Sequence, residues 1–442
     1  MTGAALAEQL TALGLDPNEI PATAALYNTA LDGFRTLAAR TPSHAWWVPG
    51  RLEVFGKHTD YAGGRTIVAA VPRGFAFLAS ARGDQLVQLL DAGTGERVTF
   101  EAEHAGFTGW RHYAEVALAR LARNFPGARR GADIVFTSNL PRASGMSSSS
   151  ALLVGIATTL AQLWSLAERT EWQQNIQDGS ALATYLASIE NGSPFGGLEG
   201  DAGVGTHGGS EDHAAMLLSL PGEVSAYSFV PIRHLDSARV PEGWRFVIGS
   251  SGVRAEKTGS ARAAYNRLSE AAGVLLRLWN SHQDPSPSLA AALAPDMAAA
   301  DRLRELIRVS DVPGWTPDAL ERRLEHFRRE DARVPEALQA VAAADVARLS
   351  GLSDASQRDA HKLLENQIPQ TIGLAELARA CGAFAASSFG AGFGGSVWAL
   401  VGRERARTFA ARWLADYRRD YQMKEAVTFI ATPGPAVTEL TL

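Results

Sequence analysis

Residues 51–65 read RLEVFGKHTDYAGGR and set Arg51, Glu53, Lys57, His58, Asp60 and Arg65 beside a Gly-Gly pair. All but the histidine are charged at neutral pH, yet a strand-like apolar run, AWWVPGRLEVFG over 45–56, leads straight into them. Charge carried into an interior is costly unless it is paired. Whatever this chain folds into must therefore find a use for so much charge in one tight place.

The 442 residues are 46% hydrophobic and 20% charged, an ordinary globular composition with ample material for a large core. That length suits more than one domain, or two lobes sharing an interface. The net charge is −5, with no basic stripe of the kind a nucleic-acid partner requires. A single cysteine, Cys381, rules out an internal disulfide and fits a reducing, cytoplasmic setting. The start, MTGAALAEQLTALGLDP, lacks the basic and apolar blocks of a signal peptide. No apolar run approaches the roughly 20 residues of a membrane helix. The expectation is a cytoplasmic chain that partners neither nucleic acid nor membrane.

Helical periodicity covers residues 3–40, 110–125, 147–164, 178–191 and most of 260–380. Strand-type runs occupy 45–56 (broken at Pro49-Gly50), TIVAAVPRGFAFLASARG, VQLLDAG, GADIVFTSNLP and WRFVIGSSGV, and AASSFGAGFGGSVWALV closes with glycines and a strand. Strands and helices mix without a strict β-α-β rhythm, which predicts an α+β fold. HQDPSPSLAAALAP reads as a loop.

Three glycine- or serine-rich stretches carry the chemistry. The first is the charged one. The second, LPRASGMSSSSALL at 140–153, leads small residues into a helix. Such a helix start presents free N–H groups and partial positive charge to an anion, and serine hydroxyls add donors and metal-binding oxygens. A plain serine N-cap is the simpler alternative. The third, FGAGFGGSV at 389–397, has four glycines between Gly390 and Gly395, suited to close approach of a ligand or to a tight turn. Gly50, Gly56 and Lys57 are spaced wrongly for a Walker A loop, and His58 stands where Ser or Thr is required. His207 and His213 show no zinc-ligand spacing.

PGRLEVFGKHTDYAGG resembles the galactokinase signature P-G-R-V-N-L-I-G-E-H-T-D-Y-N-G-G. The serine stretch is similar to that family's phosphate loop, and GAGFGGSVWALV to its third motif, in the same order. The chain is identified as a member of the GHMP kinases, closest to the galactokinases. The resemblance implies a two-lobed α+β fold with the active site between lobes, approximately residues 1–230 and 231–442. It implies transfer of the ATP γ-phosphoryl group to the anomeric hydroxyl of a small-molecule sugar, with ATP and Mg²⁺ bound.

The resemblance also assigns residues. Arg51 matches the arginine beside the catalytic aspartate, with a salt bridge to Glu53 as the alternative. Asp212, in GGSEDHAAML, matches the base, with Gly209 giving a backbone contact; Glu211 competes for the role, and His213 replaces the family's glutamine. Asp60 matches the aspartate that binds sugar hydroxyls, and His58 and Gly64 shape the same loop. Tyr265, in ARAAYNR, falls near the sugar or in the core. Ser144, Gly145, Ser147, Ser148, Ser149 and Ser150 make the ATP loop. Glu190 and Ser149 are the metal ligands, although GSPFGGLEGDAGVG lengthens the chain between Glu190 and Asp212 and makes Glu199 a competitor. Trp110 and Tyr113 pack near the adenine.

Lys57 departs from the pattern, since the family has a glutamate there that contacts the sugar C6 hydroxyl. Two readings stand: an ion pair with Glu53, or recognition of an acidic sugar such as galacturonate or glucuronate. A sugar- and ATP-binding sensor with weak turnover is the remaining alternative class.

Overall fold

The structure is a computed structural model. It describes the chain except residues 1–2, 39, 102–105, 142–143, 254–258 and 295–297.

The first strands are β1 (His44–Phe55) and β2 (Arg65–Ala81), paired antiparallel along most of their length. There follow β3 (Val87–Asp91), β4 (Arg97–Phe100), β5 (Ala132–Ser138), β6 (Glu223–Ser228) and β7 (Arg233–Arg239). A second group is β8 (Trp244–Ser250), β9 (Ala385–Phe389), β10 (Ser396–Gly402) and β11 (Val427–Ala431), and the chain closes with β12 (Thr438–Leu440). They form an eight-stranded sheet ordered β12-β1-β2-β5-β3-β4, with β6 and β7 attached beside β2, and a four-stranded sheet ordered β11-β8-β10-β9. Pairing is antiparallel except between β3 and β5. The α+β expectation therefore holds, with helices packed on both sheets.

Side-chain alternation explains both faces of the large sheet. Ala45, Trp47, Ala76 and Leu78 pack against Tyr27 and Phe34 of the helix Ile20–Leu37. Trp46, Val48, Leu52, Val54 and Phe77 enter the main core with the helices Trp110–Asn124 and Ser148–Leu163. Phe246, Ile248, Trp398 and Phe429 of the second sheet join that same core, so one apolar mass runs through both lobes. Each large side chain fully buried there contributes about 1.5–3 kcal/mol. The opposite face of the second sheet carries Trp413 and Tyr417 of the helix Ala406–Tyr421.

Three expectations are corrected. Pro49 does not break its strand: β1 continues past it through a register shift between Pro49 and Arg51. The expected boundary near 230 separates β6 from β7, which pair as a hairpin. The first sheet thus continues to Arg239, and it also takes back the last strand, where Leu440 pairs with Ala45. HQDPSPSLAAALAP includes a short helix, Leu289–Leu293, capped by the Ser288 side chain. Among the described residues no helix is long and apolar enough to cross a membrane.

Candidate active site

The bulge in β1 leaves Leu52 and Val54 in the core, while Arg51 and Glu53 line a cavity of about 590 Å³. That volume suits a ligand of nucleotide or sugar size. Its walls differ from end to end. Phe75, Trp110, Tyr113, Phe136, Leu140 and Leu152 make one end apolar. Arg51, Asp60, Glu211, Asp212, His58 and Tyr265 make the other polar, and Ser147, Ser148 and Ser149 stand on the wall too.

Arg51, only 4% exposed, organises the polar end. Its Nε donates to Asp212 Oδ1 at 2.6 Å, its Nη1 to the Gly145 carbonyl at 2.9 Å and its Nη2 to Ser147 Oγ at 2.9 Å. Glu211 Oε1 lies 3.4 Å from the same guanidinium. No salt bridge joins Arg51 to Glu53, whose carboxylate instead accepts the Gly390 N–H at 2.7 Å.

Ser147 precedes the helix Ser148–Leu163 in a left-handed conformation, φ 54°, and gives it no side-chain cap. Its hydroxyl is taken by Arg51 instead. The helix start is thus left without a side-chain partner beside a cavity, the arrangement that receives an anion. Two serines behave otherwise than expected. Ser150 is buried and its Oγ donates to Asp212 Oδ2 at 3.4 Å, so it holds the candidate base. Ser144 is absent from the cavity wall: its hydroxyl donates to the Pro141 carbonyl and its own carbonyl accepts from Ser396, tying this loop to β10.

At the polar end Asp60 Oδ2 accepts the Glu211 N–H at 3.2 Å. Burial pushes the Asp60 carboxyl up to about 6, with Asp212 adding repulsion and the Glu211 N–H opposing both. Burial, then Glu53, also raises the Glu211 carboxyl well above its ordinary value, whereas Asp212 keeps the direct Arg51 contact. Asp212 therefore makes the closer contact with Arg51, 2.6 Å against 3.4 Å for Glu211. Gly209 lines the same end, and a Cβ there would stand 2.1 Å from Asp60 Oδ2 and 2.7 Å from the Tyr61 nitrogen. Gly209→Ala is expected to displace Asp60 and raise the sugar KM at least tenfold, leaving nucleotide affinity unchanged; titration of each ligand separately checks it.

Glu190 and Ser149 both line the cavity, and Glu190 Oε2 is 3.5 Å from His213 Nε2. Glu199 is exposed and off the cavity wall, because its loop folds away. There Arg120 donates to the Ser193 carbonyl, and Leu198 and Val204 are buried.

Lys57 requires the largest correction. It is 1% exposed and does not line the cavity. Its ammonium donates to Ser356 at 2.5 Å and to Ser387 at 2.9 Å, and lies 3.8 Å from Glu330. Neither earlier reading survives in that geometry: its partner is Glu330 rather than Glu53, and it is absent from the polar end of the cavity. Burial disfavours both charges, yet Lys57 and Arg333 together hold the Glu330 carboxyl at about 2.

The helix Pro317–Ala342 was not foreseen as part of the site. Arg323, Glu330 and Asp331 bond to the 56–65 loop through His58, Gly56 and Arg65 respectively. The available signal was their i, i+7, i+8 spacing, one helical face of charged groups.

Residues 112–217 match the GHMP kinases N terminal domain, and residues 32–81 the galactokinase galactose-binding signature. Galactokinase of Chloroflexus aggregans is 27% identical over 402 residues, covering 88% of this chain and 92% of that one. The Streptomyces coelicolor galactokinase is 26% identical, covering 85% and 89%. Among solved structures, Lactococcus lactis galactokinase complexed with galactose superimposes with a TM-score of 0.78 at 22% identity, covering 94% of this chain and all (100%) of that one. Methanococcus jannaschii mevalonate kinase gives 0.55 at 14% identity, covering 88% and 98%. Over residues 112–217 the chain carries the domain that names the GHMP kinases, and its fold is the one these solved kinases share. The matches support a sugar kinase of the galactokinase type.

Proposed function

We propose that the protein transfers the ATP γ-phosphoryl group to the anomeric hydroxyl of a neutral, galactose-like monosaccharide. The observation that carries this is the Arg51–Asp212 pair, 2.6 Å apart between the serine loop and the sugar loop. In this reading the apolar end with Trp110 and Tyr113 takes the adenine, and the start of the helix Ser148–Leu163 takes the phosphates. Asp60, Gly209, His58 and Tyr265 hold the sugar.

Asp212 orients the anomeric hydroxyl and receives its proton as the oxygen bonds to the γ-phosphorus and the bond to the ADP oxygen breaks. Arg51 neutralises charge on the equatorial oxygens, the main requirement of phosphoryl transfer. Ser149 and Glu190 offer a hydroxyl and a carboxylate on the cavity wall, hard oxygen donors suited to Mg²⁺ that keeps waters and phosphate ligands. Bound there, the ion supplies charge neutralisation on the phosphates. With Cys381 unpaired and ATP consumed, we assign the activity to the cytoplasm.

A neutral sugar is favoured over a uronate because Lys57 lies off the wall. The carboxylates Glu53, Asp60, Glu211 and Asp212 line that end with Arg51 their nearby cation. Among the described lining residues Arg51 is the one Lys or Arg, and Asp212 already engages it, so a further carboxylate on the substrate would find no cation of its own.

Asp60 accepts sugar hydroxyls most strongly as a carboxylate, and its value of about 6 stands above the ordinary 3.8. Protonation as pH falls through about 6 is expected to weaken sugar capture, so kcat/KM for sugar rises with pH through that value. Stability of the free protein moves oppositely. A raised carboxyl contributes stability fully present below 3.8 and lost as pH rises through about 6. A pH profile of wild type against Asp60→Asn, which should lack the limb, checks it.

The activity itself is tested with Mg²⁺-ATP and a panel of neutral and acidic sugars, following ADP and sugar phosphate together. Turnover on galactose-like sugars supports the reading. Sugar and ATP binding without turnover would favour the sensor instead.

A further inference from the structure

What His58 can offer a ligand depends on which ring nitrogen carries its proton, and a chain of hydrogen bonds behind the cavity decides this. Arg323, on the helix Pro317–Ala342, is 2% exposed. Its Nη2 donates to the His58 carbonyl at 2.6 Å and to the Tyr61 hydroxyl oxygen at 3.0 Å. Its Nε donates to the Leu268 carbonyl at 3.3 Å, on the helix that also bears Tyr265. A guanidinium has donors alone, so the Tyr61 oxygen is the acceptor in that contact. The Tyr61 oxygen also lies 3.0 Å from His58 Nδ1. With Arg323 donating to it, the hydroxyl is free to give its own proton to Nδ1.

The other side of the ring makes the same demand. His58 Nε2 lies 3.2 Å from the Ala391 carbonyl, which can accept but never donate, so Nε2 must carry hydrogen. The Asn366 amide nitrogen, at a longer 3.4 Å, is a competing donor beside this bond. Two contacts from opposite sides outweigh it. Burial, reinforced by Arg323, holds the imidazole down to about 3 and so neutral, which leaves one proton to place.

We infer that Arg323, acting through Tyr61, fixes His58 as the tautomer protonated on Nε2. The ring's N–H is thereby held on the Ala391 carbonyl, beside the cavity that His58 and Ala391 both line, and Arg323 and Tyr61 are positioning residues for this end of the cavity. Tyr61 also packs edge-on to His58, centroids 5.9 Å apart, and a phenylalanine would retain that packing. The consequence for sugar binding rests on the proposed sugar kinase reading; the tautomer itself does not.

The test is nitrogen NMR of histidine-labelled full-length protein, with His58 assigned by its loss in His58→Gln. Wild type should show a bare Nδ1 and a protonated Nε2. Tyr61→Phe removes the donor at Nδ1 and leaves the Ala391 carbonyl and the Asn366 amide to compete at Nε2, so the ring should shift from one tautomer to a mixture. It should also raise the sugar KM about tenfold, the loss of one hydrogen bond, with ATP KM unchanged. Arg323→Gln should shift the tautomer the same way. A wild-type ring protonated on Nδ1, or a Tyr61→Phe ring unchanged from wild type, would overturn the inference. If the tautomer shifts as expected and no sugar is phosphorylated, the functional reading fails while the relay stands.

Discussion

Asp212→Asn is expected to lower kcat by about 10²- to 10⁴-fold while both substrates still bind. The amide keeps a hydrogen-bonding oxygen for Arg51 and can still meet a sugar hydroxyl, but it takes no proton and supplies no negative charge. Its neighbour Glu211 is no ready substitute. That carboxyl is held toward its protonated form by burial and by Glu53, and its backbone N–H is committed to Asp60. The check is single-turnover kinetics alongside calorimetric binding of galactose and a non-hydrolysable ATP analogue. If the variant kept more than about a tenth of wild-type kcat, proton transfer to this side chain would not be what limits the reaction, and positioning by Arg51 would carry the rate.

The second large effect is expected at Lys57, in stability rather than specificity. Lys57→Met removes the ammonium from Ser356, Ser387 and Glu330, leaving a buried carboxylate whose remaining cation is Arg333, 2.8 Å away. Breaking one side of a buried ion pair costs about 3–5 kcal/mol, and the surviving Arg333 contact places this case near the lower end. Changing Glu330 to Gln in the same chain should recover part of the loss, because the uncompensated charge is then gone. The ratio of kcat/KM between neutral and acidic sugars should not move. Urea unfolding of the four proteins in the cycle, with sugar kinetics on those that fold, measures both. A changed sugar ratio without loss of stability would return Lys57 to the substrate.

These two residues mark how far the sequence could be read. Asp212, Arg51, Gly145, Ser147 and Asp60 belong to short motifs, and the cavity brings them together as the resemblance to the galactokinase motifs implied. Lys57 sits in the most informative of those motifs, yet its partner Glu330 lies 273 residues further on, in a helix whose charged face reads like ordinary solvated surface. Ser150 was legible as one of a run, but which serine turns toward Asp212 and which toward the cavity depends on helix phase. The left-handed Ser147 sets that phase. The sheets show the same division. Alternation along β1 was plain, whereas the return of Thr438–Leu440 to its edge is a pairing between the two ends of the chain.

The central claim is that this cavity directs a phosphoryl group onto the anomeric oxygen of a neutral sugar. Phosphorus NMR of the protein incubated with Mg²⁺-ATP and galactose tests it most directly. ADP and a sugar 1-phosphate are expected in equal amounts, both formed at least about a hundredfold more slowly by Asp212→Asn, the lower bound of a general-base contribution. ADP released with inorganic phosphate alone, phosphorylation at another hydroxyl, or turnover confined to uronates would contradict it.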